Sequence, residues 1–393
     1  MMLKRKSLVA LSVAIVLAFS VVLSGCGTQQ TSSSGSQTKT PITVGVIEPL
    51  SGPVAQSGQN VVWGAEYAVK FINQAGGVNG RQLQLKVYDS KNDPAEAVNV
   101  ANKLINSDNV KVIMGAWGSS PTLAVLPVTE KAGVPLVVET ASSPKVTNSG
   151  YKYVFRITPT SDQEAAAVQD DLITKVGIKK AAIIAVNNDW GKGGATAYTN
   201  VLNAKGAQVV DTEFVADDAT DFYPQLTKVK QSGADTIIIN SEVSQIALIV
   251  KQIRELNMQQ KIVTAGGSNF SDAVLNLAKG AAEGMYSVQQ NVVWIPDMTP
   301  NKDLAQKYVD AWNADKRPHD GILEAAKGFD GIYTIAEAIK KAGTADDSQK
   351  IQQALKTVQF DGIGVSVKFD DKGQSQVECY LVQVVNGKTV LVK

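Results

Sequence analysis

Strand-like and helix-like segments alternate along most of this chain, and that alternation constrains its fold more than any other feature. A body begins abruptly with Ile42-Thr43-Val44-Gly45-Val46-Ile47, and apolar or alternating runs recur at 83–88, 110–114, 134–138, 181–186, 236–239 and 261–265. Helical patterns lie between them. Val62, Ala65, Val69 and Ile72 recur at steps of three and four before Gly76-Gly77 as a stop, and Ile246, Ile249, Val250 and Ile253 share one face of a helix over about 246–256. Strand–helix alternation over this length predicts an α/β protein whose parallel sheets are covered on both faces. Near the end the period changes: 365–369, then Asp370-Asp371-Lys372-Gly373, then 377–385 read as strands with a turn between them.

The first 25 residues read as a leader. Lys4-Arg5-Lys6 form a basic start, residues 8–23 an apolar core, and Leu23-Ser24-Gly25-Cys26 the end. The core is shorter than the ~20 residues of a comfortable membrane span. Leu-Ser-Gly-Cys resembles the lipobox of bacterial lipoproteins, which makes Cys26 the expected site of lipidation. Two acyl chains at ~0.8 kcal/mol per buried CH2 give a firm anchor. The alternative is an ordinary secretory leader with a coincidental cysteine. Residues 26–40 follow as a tether, almost wholly Gly, Ser, Thr and Gln after Cys26. Such a linker reaches roughly 20 Å.

Of 393 residues, 368 remain once the 25-residue leader is removed, which suggests two domains rather than one core. Lys4, Arg5 and Lys6 leave with it, so 35 basic residues face 37 acidic ones and the formal charge is about −2. With no long basic run, nucleic acid is not an expected partner. Cys379, the other cysteine, lies in a strand-like setting and reads as a buried, inert thiol.

Enzyme signatures are scarce. His319 is the only histidine, in Arg317-Pro318-His319-Asp320-Gly321, and reads as an exposed loop residue. A Ser–His–Asp or Cys–His relay rests on that single imidazole, and a His/Cys zinc set cannot be assembled. Gly191-Lys192-Gly193-Gly194 lacks the spacing of a phosphate loop. Residues 89–93 offer oxygen ligands without the closing Glu of a calcium loop, so a capped turn into Pro94-Ala95-Glu96 is expected. No cofactor or metal is called for.

The informative polar residues stand at strand exits. The run 110–114 leads into Gly115-Ala116-Trp117-Gly118-Ser119-Ser120-Pro121, where Ser120 is expected to cap a helix with Pro121 at its first position. Ser119 and the free N–H groups then face a crevice suited to a carboxylate, unless both serines merely cap the helix. The run 134–138 ends in Glu139-Thr140-Ala141-Ser142-Ser143-Pro144, which repeats the pattern. Later exits bring Asn187-Asn188-Asp189-Trp190-Gly191 and Asn240-Ser241-Glu242. There Trp190 can close over a ligand or simply pack, and Glu242 can meet an ammonium group or lie solvated.

Several stretches resemble the leucine/isoleucine/valine-binding proteins of ABC importers. They are 42–55, from Ile42 through Glu48-Pro49-Leu50-Ser51-Gly52-Pro53 to Ala55; 72–81, Ile72-Asn73-Gln74-Ala75-Gly76-Gly77-Val78-Asn79-Gly80-Arg81; Asp93-Pro94-Ala95-Glu96-Ala97-Val98; and Ala282-Glu283-Gly284-Met285. The similarity runs in order through the mature chain. It implies a type I periplasmic binding protein: two Rossmann-like lobes with parallel central sheets, joined by a three-crossover hinge. The N-terminal lobe would be 41–162 plus 290–372 and the C-terminal lobe 163–289 plus 373–393. Carried over by position, the ligand's carboxylate and ammonium would meet Ser119, Ala141 and Ser142, with Ser142 where Thr is usual and Trp190 where Tyr is common. Two positions depart from the pattern. Ser57 stands where some relatives have an aromatic, and the usual acidic ammonium partner falls near Gly267, leaving Glu242 or Asp189 as substitutes.

The resemblance implies a lipid-anchored, extracytoplasmic, monomeric solute-binding protein that passes a small ligand to membrane permease subunits. The ligand is a branched-chain amino acid or a related amide or carboxylate without an α-ammonium. Ser119, Ser120, Ala141, Ser142, Trp117, Trp190 and Glu242 are the expected ligand contacts. Two rivals remain, a ligand-sensing receptor subunit of the same fold and a secreted α/β enzyme.

Overall fold

The computed structural model describes residues 40–266, 272–318 and 321–392. The leader, Cys26, nearly all of the tether, Gly267 and His319 lie outside the described residues. Five parallel strands form one sheet: β1 (Ile42–Glu48), β2 (Leu83–Asp89), β3 (Ile113–Gly115), β4 (Leu136–Val138) and β5 (Val154–Arg156), in the order β2-β1-β3-β4-β5. A second sheet begins with β6 (Lys180–Val186), β7 (Gln208–Val215), β8 (Thr236–Asn240), β9 (Lys261–Thr264) and β10 (Tyr286–Gln289). The hairpin β11 (Gln359–Asp361) and β12 (Ser366–Lys368) stands apart, and β13 (Tyr380–Val385) and β14 (Lys388–Leu391) complete the second sheet in the order β14-β13-β10-β9-β8-β6-β7. The antiparallel pairings there are β10 with β13 and β13 with β14, so β13 alone runs against the other strands of the sheet.

Burial explains the residue patterns. The central strands β1 and β8 are apolar and covered on both faces, whereas the edge strand β7 alternates exposed and half-buried positions. The helix Ala55–Gln74 covers the first sheet and packs against Ile322–Ala342 at backbone contact. A Cβ on Gly64 would stand 1.7 Å from the Ala325 carbonyl oxygen, and one on Gly328 2.0 Å from that of Val61. Residues 293–369 therefore contribute to the same hydrophobic core as β1, with Trp312, Tyr308 and Phe329 fully buried. Among the described residues no helix is long and apolar enough to cross a membrane.

The chain passes between the sheets three times: after β5, after β10 and between β12 and β13. These passages are tied to one another. Thr158 Oγ1 donates to Gln290 Oε1 at 3.0 Å, Gln374 Nε2 to the Thr158 carbonyl at 2.9 Å, and Arg156 Nε to Gln374 Oε1 at 2.6 Å. The turn at 370–373 is flanked by an antiparallel bridge between Phe369 and Ser375, while β12 pairs with β11 and β13 with β10 in the second sheet. Local alternation identified both strands but carries no information on which partner each will find. Cys379 precedes β13 rather than lying within it. It is half-buried against the Leu381 core, and burial pushes its thiol well above the usual range.

Candidate functional site

Parallel strands leave polar backbone and loop residues at their C-terminal ends, and here the ends of both sheets surround one cavity. Its volume is about 370 Å³, within the ~300–1,000 Å³ range of small-molecule sites. All seven expected contacts line it: Trp117, Ser119 and Ser120 after β3, Ala141 and Ser142 after β4, Trp190 after β6, and Glu242 after β8. Ser57 is not among the lining residues.

The first-sheet wall presents hydrogen-bond donors. The helix Ser119–Ala132 starts here, and the N–H groups of Ser119 and Ser120 have no acceptor within it. Its N-cap is Gly118, not Ser120, which is a correction to the sequence reading. A Cβ at Gly118 would lie 2.2 Å from Asn92 Oδ1, so the 89–93 turn approaches this cap closely. With the cap at Gly118, the Ser120 side chain bonds Asp189 instead. Ser119 Oγ accepts from the Ser143 N–H at 3.1 Å, which leaves its own hydrogen available to donate.

Arg156 shapes the adjacent loop. Fully buried at the end of β5, it donates from Nη1 to the carbonyls of Ala141 (3.0 Å) and Ser143 (2.7 Å) and from Nη2 to Thr147 Oγ1 (2.7 Å). Carbonyls drawn toward the guanidinium are turned from the cavity. Ser142 Oγ lies 3.3 Å from Ser161 Oγ, and Thr140 Oγ1 and Trp117 Nε1 are buried without a hydrogen-bond partner among the described residues. Trp117 itself has φ 55°, a conformation uncommon for a bulky residue, which brings its ring to the cavity wall.

The second-sheet wall is acidic. Asn188 caps the helix Asp189–Ala204 by accepting from Gly191 N–H, and its Nδ2 donates to Asp217 Oδ1 at 3.0 Å. Trp190 lies over Gly266, where an added Cβ would come within 2.4 Å of its ring. Asp189 is bonded to Lys145 and Ser120, so it is not available to an ammonium, and those contacts hold its carboxyl below the usual carboxylate range, Lys145 contributing most. Glu242 is buried at 9 % exposure rather than solvated. Burial, then the charges of Glu324 and Asp217, push it up to about 8.

Sequence reasoning missed Asn92, Asp217 and Arg156. The first two follow the ends of β2 and β7, so extending the strand-exit rule to those strands would have found them. Arg156 had no such signal, since its role depends on three distant segments meeting.

Residues 41–389 match the family model described as periplasmic binding protein. The chain is 31% identical over 314 residues to the Leu/Ile/Val-binding protein homolog 3 of Brucella melitensis, covering 80% of this chain and 83% of that one. Among solved structures it is similar to a leucine-binding protein from Thermotoga maritima, with a TM-score of 0.81, 25% identity, and 90% and 98% of the two chains covered. The branched-chain amino acid transporter substrate-binding protein of Streptococcus pneumoniae, in complex with isoleucine, gives a TM-score of 0.78 and 27% identity over 89% and 97% of the two chains.

Proposed function

The chain belongs to the periplasmic binding protein family, and we propose that it is the extracytoplasmic solute-binding component of an ABC importer, taking a branched-chain amino acid or a close analogue. One observation carries this reading: a single cavity has hydrogen-bond donors suited to a carboxylate on one wall and the Glu242 carboxyl on the other. A zwitterion spans such walls. Ser119, Ser142 and the free helix N–H groups take the carboxylate, Ala141 packs beside them, Glu242 takes the ammonium, and Trp117 and Trp190 cover the apolar part.

No bond is broken in this role. A ligand touching both walls stabilises the conformation in which they are close, by its extra contacts there. The lobes are 41–162 plus 290–372 and 163–289 plus 373–393, and the three linked passages between the sheets form the hinge. Cys26 anchors the monomer to the membrane by lipid, and the closed form docks on permease subunits. Similarity to the Leu/Ile/Val-binding and isoleucine-bound relatives supports the ligand class, and the apolar leader ending in Leu-Ser-Gly-Cys supports the anchor.

The test is a calorimetric screen of aliphatic amino acids, their amides and the corresponding carboxylates. One-to-one binding of a branched-chain amino acid, weakened by Ser119→Ala, is expected. An absence of binding across the aliphatic amino acids would overturn the ligand assignment, and an unchanged affinity in Ser119→Ala would remove the carboxylate site.

A further inference from the structure

Among the described residues three carboxyl groups line the cavity, and two are engaged. Asp189 pairs with Lys145, and Asp217 accepts from Asn188. Glu242 accepts no side-chain hydrogen bond and joins no ion pair among the described residues. It sits at the N-cap of the helix Val243–Glu255, where a carboxylate often caps its own helix, yet it makes no capping bond. Its side chain is thus buried, unpartnered and on the cavity wall.

The charged groups around it are mostly of its own sign. Asp217 approaches from the loop after β7, and Glu324 from the first turn of Ile322–Ala342. From the helix Asp189–Ala204 come Asp189 and Lys192, the one cation among the described lining residues, whose charge acts on Asp189. A buried carboxylate facing two acids is costly unless a cation joins it or a proton neutralises it.

We propose that Glu242 holds a proton in the empty protein and releases it to solvent when the cationic amine of a ligand takes its place, so that capture is linked to the loss of one proton and the subsite rejects ligands without such an amine. The inference rests on the cavity being the ligand site. The exchange balances: the Glu242 O–H bond breaks, its proton goes to buffer, and the ligand's positive charge replaces that of the proton. The Glu242 carboxyl pushed up to about 8 by burial and its acidic neighbours is consistent with it.

Calorimetry at pH 7 in two buffers of different ionisation enthalpy tests this, with leucine, isoleucine and valine as probes against 4-methylpentanoate, which has leucine's carbon skeleton but no amine. The amino acids should bind with release of about 0.9 proton, tighten about tenfold from pH 6 to 7 and level off above about pH 8. 4-Methylpentanoate should bind at least about 100-fold more weakly than leucine. Glu242→Gln, checked for folding by thermal melting, should abolish both the proton release and the pH slope. Amino-acid binding without proton release, or a Glu242→Gln variant with the original pH profile, overturns the proposal while leaving the cavity as the ligand site. Preference for 4-methylpentanoate does the same. If no probe binds, the reading of the cavity fails and the proposal fails with it.

Discussion

Ser120 and Asp189 bond each other reciprocally across the gap between the two sheets. Ser120 Oγ donates to Asp189 Oδ2 at 3.1 Å and accepts the Asp189 backbone N–H at 3.3 Å, while Lys145 Nζ reaches Asp189 Oδ1 at 2.8 Å. Ser120 follows β3 of the first sheet and Asp189 follows β6 of the second, so these bonds exist only when the two strand ends are close.

Removing this link should shorten the life of the ligand complex. The pair with Lys145 is exposed and worth ~0.2–1 kcal/mol, and the Ser120 bond adds about 1 kcal/mol. Asp189→Ala is therefore expected to speed ligand release about tenfold with little change in association rate, as read by stopped-flow tryptophan fluorescence. A change confined to association would contradict a latch. Because the Asp189 carboxyl is depressed, its contribution is complete at neutral pH and is lost only as acid protonates it.

Glu242 should carry a stability cost that grows with pH. Its carboxyl is raised in the folded protein, so the native state binds more protons than the unfolded chain, and stability falls as pH rises from about 4.3 to about 8. Glu242→Gln removes that slope. Urea denaturation of the ligand-free protein should find the variant about 5 kcal/mol more stable than the parent at pH 8 and equal to it near pH 4. Parallel stability curves across this range would refute the assignment.

Arg156 supports the 141–143 loop of the cavity wall from behind. Arg156→Ala leaves the Ala141 and Ser143 carbonyls and Gln374 without their buried donor, and a loss of about 3–5 kcal/mol is expected in chemical denaturation. Arg156→Lys keeps the charge but not the fork that reaches several acceptors at once. It should fold and bind ligand about tenfold more weakly. Affinity equal to the parent's would show that the 141–143 loop holds its shape without the guanidinium.

Gly266 is required by Trp190. Its φ of +94° disfavours any side chain, and a Cβ would stand 2.4 Å from the indole ring. Gly266→Ala should displace Trp190, shift the emission spectrum of the ligand-free protein and weaken binding about tenfold or more. An unaltered spectrum would mean the ring does not rest there.

Much of the site was legible because the strand-exit rule is topological. Once 110–114, 134–138, 181–186 and 236–239 are read as parallel strands, the residues after each must gather at one edge of a sheet, and Ser119, Ser142, Trp190 and Glu242 did so. The failures share a cause. Placing Ser120 as the cap relied on local preference alone, but the N-cap is Gly118, packed against the Asn92 side chain from another strand exit, and Ser120 bonds Asp189. The solvated reading of Glu242 was open because side-chain type does not reveal what packs against it.

The order of apolar and polar residues along this chain was enough to determine its α/β class, its parallel strands and the segments that border the cavity, because periodicity and turn chemistry act over a few residues. Tertiary structure decided the rest: that Glu242 is buried among acids, that Asp189 is taken by Ser120 and Lys145, and that Arg156 holds the 141–143 loop. Each of these depends on groups tens to hundreds of residues apart arriving at one place, where the loss of water makes an unpaired charge costly and a matched one decisive.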